Sequence, residues 1–319
     1  VKTWIDFDSA PVFAVPLTDA LGEVTVCEGM LVEGPQGWGE FSPPPDCDDR
    51  QAGRWLTAAI EVGTVGWPDP RRGRVPVAVT VPAVSAERAR QMVLDAGCRT
   101  AAVGVGDDLN ADLARLEVVR DALGKGAAIR CDVNGGWDVD TAVAAIPALD
   151  RAAGGLEFVE QPCRTLAEVA AVRRRVDVPI AVDQSVRHGE VAVDLADFAD
   201  VVVLTVGALG GVRRALRVAE QCGIPCTVAA GAESSVGMAG GLALAGALDD
   251  VGYASELGGV LLLVGDLVSP GRSLISQDGF LPVAPMPPGP DPARLQRFSA
   301  TVDRQEWWRQ RLRAAQKYL

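Results

Sequence analysis

Lysine is almost missing from this chain: in 319 residues it occurs only at Lys2, Lys125 and Lys317. Histidine occurs once, at His188, and aromatic residues make up 5% of the sequence. Nitrogen bases are therefore scarce, and candidates for proton transfer have to be sought mainly among carboxylates. No uncharged apolar run of 18 residues occurs, and VKTWIDFD at the start lacks a basic segment followed by an apolar one, so neither a membrane span nor a secretory leader is expected. Long basic runs and basic-aromatic clusters are absent too. With a net charge of −12, this argues against nucleic acid or an anionic membrane as partner and for a small-molecule ligand. The seven cysteines are odd in number and scattered through strand-like and helix-like segments, which fits a reduced, cytoplasmic protein. Cys222 and Cys226 in CGIPC, and Cys131 beside an aspartate, read either as reactive thiols or as small buried hydrophobes.

What is present is an alternation. From about residue 75 to 257, apolar β-branched runs alternate with segments of helical spacing, the pattern of consecutive βα units around a parallel sheet. Eight strands are predicted, near Val75–Val81, Thr100–Val105, Ala128–Val133, Leu156–Glu160, Ile180–Asp183, Val201–Val206, Cys226–Ala229 and Tyr253–Leu257. The intervening helices are predicted at Ala86–Ala96, Leu109–Leu123, Val139–Ala152, Leu166–Val176, Val191–Phe198, Val212–Cys222 and Val236–Leu248. No amphipathic helix follows the last strand. Residues 1–74 read instead as a small α+β unit, with a strand at Val24–Glu33, a glycine turn into GWGE, and a helix at Arg50–Val62. The fold class is thus α/β, with an α+β domain over 1–74, a barrel over 75–285 and a C-terminal segment, 286–319, that completes the first domain. In that last segment Trp307 and Trp308 are expected to anchor one terminal helix over Ala293–Tyr318.

In a βα barrel the site lies where the strands stop. Three successive strands stop at acids: Asp132 in AAIRCDVN, Glu160 in LEFVEQP and Asp183 in PIAVDQS, 28 and then 23 residues apart. One strand plus one helix separates each pair, so all three reach one rim, where an all-oxygen set suits a hard divalent cation, Mg2+ first. Alternation along strand three turns Arg130, Asp132 and Asn134 to the same side. The competing reading is that each acid merely caps the helix that follows it.

RCDVNGGWD, EFVEQP, AVDQS and LTVGALGGV, in this order and at these spacings, resemble the enolase superfamily and, within it, the o-succinylbenzoate synthases of menaquinone biosynthesis. The resemblance spans the chain. It implies a (β/α)7β TIM-like barrel under an α+β capping domain that includes GWGEFSP. It further implies Asp132, Glu160 and Asp183 as Mg2+ ligands, and Arg130 beside a catalytic lysine. The sequence departs from the family at that lysine. The family's Lys-x-Lys on strand two aligns with Ala102 and Gly104, its strand-six lysine with Thr205, and its Asp-Glu-Ser with Asp183-Gln184-Ser185.

Small residues cluster at the inner strand ends, at Ala78, Ala102, Gly104, Thr205, Ala229, Ala230, Gly231 and Ala232, so an enlarged, more apolar mouth is expected, unless larger side chains fill the space. Glu233 opens GAESSVG, where Ser234 and Ser235 begin a helix whose N–H groups would bind an anion or be capped locally. His188, in the loop after Asp183, and Thr205 complete the catalytic candidates. Glycines at 207, 210 and 211 match no phosphate or dinucleotide fingerprint. Three readings follow: a divergent lyase or cyclase of secondary metabolism that turns over a bulky apolar molecule without lysine chemistry; an o-succinylbenzoate synthase or an active-site variant of one; and a non-catalytic ligand-binding barrel.

Overall fold

The computed structural model describes residues 5–183, 194–283 and 289–319. It opens with an antiparallel meander of β1 (Val12–Leu21), β2 (Val24–Gly34) and β3 (Gly37–Phe41). Strand β1 has no counterpart among the predicted strands, because Pro16, Thr18 and Asp19 interrupt its alternation; only its first half is buried. Helix α1 (Asp49–Thr64) begins with a reciprocal capping box. Asp48 accepts from Gln51 N at 2.7 Å, and the Gln51 side chain accepts from Asp48 N at 2.9 Å. Its apolar face, Trp55, Leu56 and Ala59, lies directly on β3: a Cβ at Gly39 would come within 2.2 Å of the Ala59 carbonyl oxygen, so only glycine fits there.

The barrel is entered through β4 (Arg74–Pro76) and continues as β5 (Ala78–Val81), β6 (Thr100–Gly104), β7 (Ala128–Asp132), β8 (Val159–Glu160), β9 (Ile180–Val182), β10 (Val201–Leu204) and β11 (Cys226–Val228). Strands β5 to β11 pair in parallel in chain order. The eighth strand is reduced to two parallel bridges, Val77 to Ser255 and Ala229 to Glu256, which join the two edges into a ring. The helices of the βα units are α2 (Ala86–Ala96), α3 (Leu109–Leu123), α4 (Val139–Ala153) and α5 (Leu166–Arg173), then α6 (Val206–Leu209), α7 (Val212–Cys222) and α8 (Ser235–Ala247). Alternation sorts the strands as expected. Val79, Ala101, Val103, Ile129, Cys131, Val159, Val182, Val202 and Leu204 join the core shared with the helices, while Phe158, Ala181, Val201 and Val203 form a separate cluster. Short β12 (Phe280–Pro282) runs antiparallel to β4.

Three expectations are corrected. Strand six stops at Leu204, because the chain turns at Thr205 into the short helix α6. The C-terminal segment is two helices, α9 (Pro292–Arg297) and α10 (Val302–Ala315), since the chain turns at buried Phe298, which closes α9, and buries Ala300 before α10 begins. Of the helix expected at Val191–Phe198, only a 3-10 turn at Leu195–Asp197 falls among the described residues. Trp308 does anchor α10: it is buried and meets Phe41 edge-on, with ring centroids 5.9 Å apart. Among the described residues no helix is long and apolar enough to cross a membrane.

The capping unit grips the barrel through two carboxylates. Glu61 of α1 accepts from Val212 N at 2.6 Å and from Arg213 Nη1 at 3.0 Å, and so caps α7, whose own N-cap residue, Gly211, has no side chain to do so. Beside it the Trp55 ring lies flush on Gly207, where a Cβ would fall 2.2 Å from the indole. Gly207→Ala is therefore expected to cost roughly 1–3 kcal/mol of stability by overpacking. Urea denaturation measures this, and an unchanged midpoint would show that the indole can move aside.

Candidate active site at the barrel rim

Strand register assembles the rim. Thr80, Ala102 and Arg130 are successive partners on β5, β6 and β7; one step further along, Gly104, Asp132, Glu160 and Ala181 are successive partners on β6 to β9. Asp183 follows two residues beyond Ala181 and is buried. Neither Asp132 nor Glu160 caps the helix after it: Asp138 caps α4 and Thr165 caps α5, which leaves the two strand-end acids for another role. Burial, together with the charges of Asp132, Asp183 and Glu256, pushes the Glu160 carboxyl well above its ordinary range. Two non-glycine residues with positive φ flank this cluster, Asn134 at 54° and Gln161 at 40°. Asn134 N donates to Asp132 Oδ1 at 2.8 Å, and Asp183 N donates to Gln161 Oε1 at 3.0 Å, so these turns orient the acids.

An all-carboxylate set at crowded strand ends is the chemistry of a hard divalent-cation site, and these residues fit Mg2+ by donor type. Among the described residues no three His, Cys, Asp or Glu side chains are already gathered closely enough to hold an ion. Arg130 is 2% exposed; its Nη2 donates to Ala254 O at 2.7 Å and its guanidinium lies over the Phe158 ring. Among the described residues its Nε and Nη1 make no hydrogen bond, and Nη1 faces Glu157 Oε2 at 3.8 Å, so that carboxylate offsets part of the buried charge. Asn134 departs from the expected alternation with Arg130 and Asp132, since β7 ends at Asp132 and Asn134 lies exposed beyond it.

Sequence reasoning missed Glu256. It stands where the eighth strand stops, the same signal that selected the other three acids, and its Oε1 accepts from Thr80 Oγ1 at 3.1 Å. Thr80 is the register partner of Ala102, so this carboxylate borders the position where the resemblance placed an amine. No described lysine is near: Lys125 lies in the turn before β7, at the other end of the barrel, and Lys317 in the C-terminal 3-10 turn. His188, Gln184 and Ser185 lie outside the described residues. Thr205 is buried directly after β10, Ala102 is buried within β6 and Ala230 is half-buried just beyond β11, whereas Ala78 opens β5 and so lies at the end of the strand away from the rim.

Among the described residues, the cleft between α1 and the barrel, lined by Trp55, Ala58, Val206, Gly207, Ala229, Ala230 and Glu233, has about 30 Å³ of room, and the Trp55 indole lies against Gly207 there. Gly231 is exposed, with nothing within 4 Å of a Cβ placed there. Ser234 and Ser235 do not await an anion. Ser234 donates from Oγ to Glu40, and Ser235 donates to Asp266 from N at 3.1 Å and from Oγ at 2.5 Å, so protein carboxylates already cap α8. The same Glu40 accepts from Gly237 N at 3.2 Å and lies against Glu233 across Gly237, where a Cβ would meet Glu40 Cδ at 2.8 Å and Glu233 Cβ at 3.1 Å.

With this geometry in place the comparisons are consistent. Residues 84–289 match the family described as enolase C-terminal domain-like, and residues 12–63 the enolase N-terminal domain-like family. The chain belongs to the enolase superfamily. It is 51% identical over 276 residues to the o-succinylbenzoate synthase of Thermobifida fusca (strain YX), covering 85% of this chain and 86% of that one. It is 41% identical over 318 residues to the o-succinylbenzoate synthase of Mycobacterium leprae (strain TN), covering 98% and 92%. Among solved structures, 2-chloromuconate cycloisomerase from Rhodococcus opacus 1CP superposes with a TM-score of 0.78 at 23% identity, over 94% of this chain and 99% of that one, a likeness of fold.

Burial, and then the neighbouring Glu40, pushes Glu233 up to about 8; burial pushes Glu40 up to about 7 against the hydrogen bonds it accepts from Ser234, Ser42 and Gly237. Both values exceed that of an unfolded glutamate, about 4.3, so the folded chain keeps protons that the unfolded chain has released. This contribution to stability is full below about pH 4.3 and is lost as pH rises through the folded values. Denaturant midpoints measured across that range are expected to fall with rising pH, and Glu233→Gln is expected to flatten the slope. An unaltered slope in the variant would remove Glu233 as its source.

Proposed function

We propose that this chain is a lyase of the o-succinylbenzoate-synthase type, acting on a small carboxylate substrate at the barrel rim, with a carboxylate in place of the family's amine base. The observation that carries this reading is the row of acids at or just past the ends of β7, β8 and β9, crowded around buried Glu160, with the helices after β7 and β8 capped by other residues. The relatives' names support it, because 51% identity extends over 85% of this chain.

In this reading Asp132, Glu160 and Asp183 hold Mg2+, which supplies a Lewis acid for negative charge developing on the substrate carboxylate. Arg130, whose Nη1 faces Glu157, offers Nε to the substrate's anionic group. Glu256 accepts the proton from the carbon beside that carboxylate, since it borders the space over Ala102. Glu256 then passes that proton to the departing hydroxyl as its C–O bond breaks, so that the substrate loses one water and the carboxylate is restored. The seam between cap and barrel, sealed by Trp55 on Gly207, keeps bulk water away. A second reading, cyclisation or rearrangement of a different substrate, is favoured by one feature, the absence of an amine at the described rim.

Replacing an amine base commonly costs ~10²–10⁴-fold in rate. Mg2+-dependent dehydration of the o-succinylbenzoate synthase substrate is therefore expected, at a rate reduced by about that factor relative to the lysine-bearing relatives. Glu256→Gln is expected to abolish it with little change in KM, and Ala102→Lys to raise it. Steady-state kinetics with purified protein decide between the readings. No dehydration by the wild type or by Ala102→Lys would point to the cyclisation reading, and full activity in Glu256→Gln would remove Glu256 as the base.

A further inference from the structure

At the end of the barrel opposite the carboxylate rim, two cysteines face each other. Helix α7 ends at Cys222, Gly223 reverses the chain with φ +68, and β11 begins at Cys226, so the turn folds one sulfur back onto the other at 3.3 Å. A disulfide needs about 2.05 Å between sulfurs, a closure within reach of side-chain rotation. Cys222 is buried and Cys226 is half-buried between exposed Gly223 and Pro225, so one sulfur is open to a reagent and the other lies behind it. The contact between the two sulfurs lowers the pKa of Cys222 and raises that of Cys226, so the thiolate of the pair rests on Cys222, placed to take the proton of Cys226. Elsewhere burial raises the thiols of Cys27, Cys98, Cys131 and Cys163. None of the seven cysteines, all among the described residues, is in a disulfide.

We propose that Cys222 and Cys226 form a redox-active dithiol that exchanges with low-molecular-weight disulfides. Cys226 attacks one sulfur of the small disulfide as its proton passes to Cys222; the S–S bond breaks, one small thiolate leaves and takes that proton from Cys222, and a mixed disulfide forms on Cys226. Cys222, as thiolate, then attacks Cys226 Sγ, displaces the second small thiolate and closes the Cys222–Cys226 bond. The two cysteines lose two electrons, the reagent gains them, and the two cysteine protons, that of Cys222 by way of solvent, end on the two small thiols. The link spans the turn that feeds β11, whose far end leads to Ala229 and Glu233 at the rim.

The test is to incubate the native protein with oxidised glutathione and map its peptides without reduction. The expected result is a peptide lacking two hydrogens and joining Cys222 to Cys226, with no glutathione retained and full reversal by dithiothreitol. Cys222→Ser is expected to trap glutathione on residue 226, and Cys226→Ser to slow the reaction of the remaining thiol at least tenfold. Glutathione retained on Cys226 in the wild type, or oxidation at Cys47 ahead of the pair, would overturn the proposal. Because the readout is covalent mass, it does not depend on the function proposed for the rim.

Discussion

Like charge gathered in a place that excludes water is the constraint around which this barrel is organised. Glu160 is buried and surrounded by Asp132, Asp183 and Glu256, an arrangement a fold tolerates only with protons or a cation to offset it. The neighbouring backbone is shaped to keep the acids there. Asn134 and Gln161 adopt left-handed conformations just past two of the strand ends, and each turn makes a hydrogen bond to an adjacent acid. Strain at such positions persists when the surroundings over-determine it, and here parallel register does so.

The capping unit obeys a related rule at two other points. Glu61 and Glu40 leave the small domain to sit on the N-termini of α7 and α8, where helix dipoles and free N–H groups favour negative charge. Glycine makes both contacts possible, since Gly211 and Gly237 leave no Cβ in the way of the carboxylates. The two docking acids differ in burial. Glu61 has an arginine beside it, whereas Glu40 faces Glu233 and must share its surroundings with a second acid.

Much of this was legible in the sequence, for definable reasons. Helices such as Ala86–Ala96 and Val212–Cys222 have the expected limits because serine or glycine and apolar spacing mark both ends. Asp132 and Glu160 were visible because strand ends select site residues in this architecture. Glu256 obeyed the same rule and was overlooked because its strand survives only as bridges with little alternation to mark it. The place of Trp55 was not legible, because its indole, remote in sequence, comes to line one cleft with Ala229 and Ala230 and to lie on Gly207 only through the tertiary fold. Ser234 and Ser235 looked free because the acids that engage them, Glu40 and Asp266, are distant in the chain.

The account turns on whether the crowded rim is a divalent-cation site, and cation-linked stability tests that most directly. A ligand that binds only the folded chain raises its stability in proportion to the logarithm of its concentration. Thermal midpoints of the wild type should rise steadily as Mg2+ is titrated at constant ionic strength, and Glu160→Gln should lose that dependence. A wild-type midpoint indifferent to Mg2+, or an equal rise in Glu160→Gln, would contradict it.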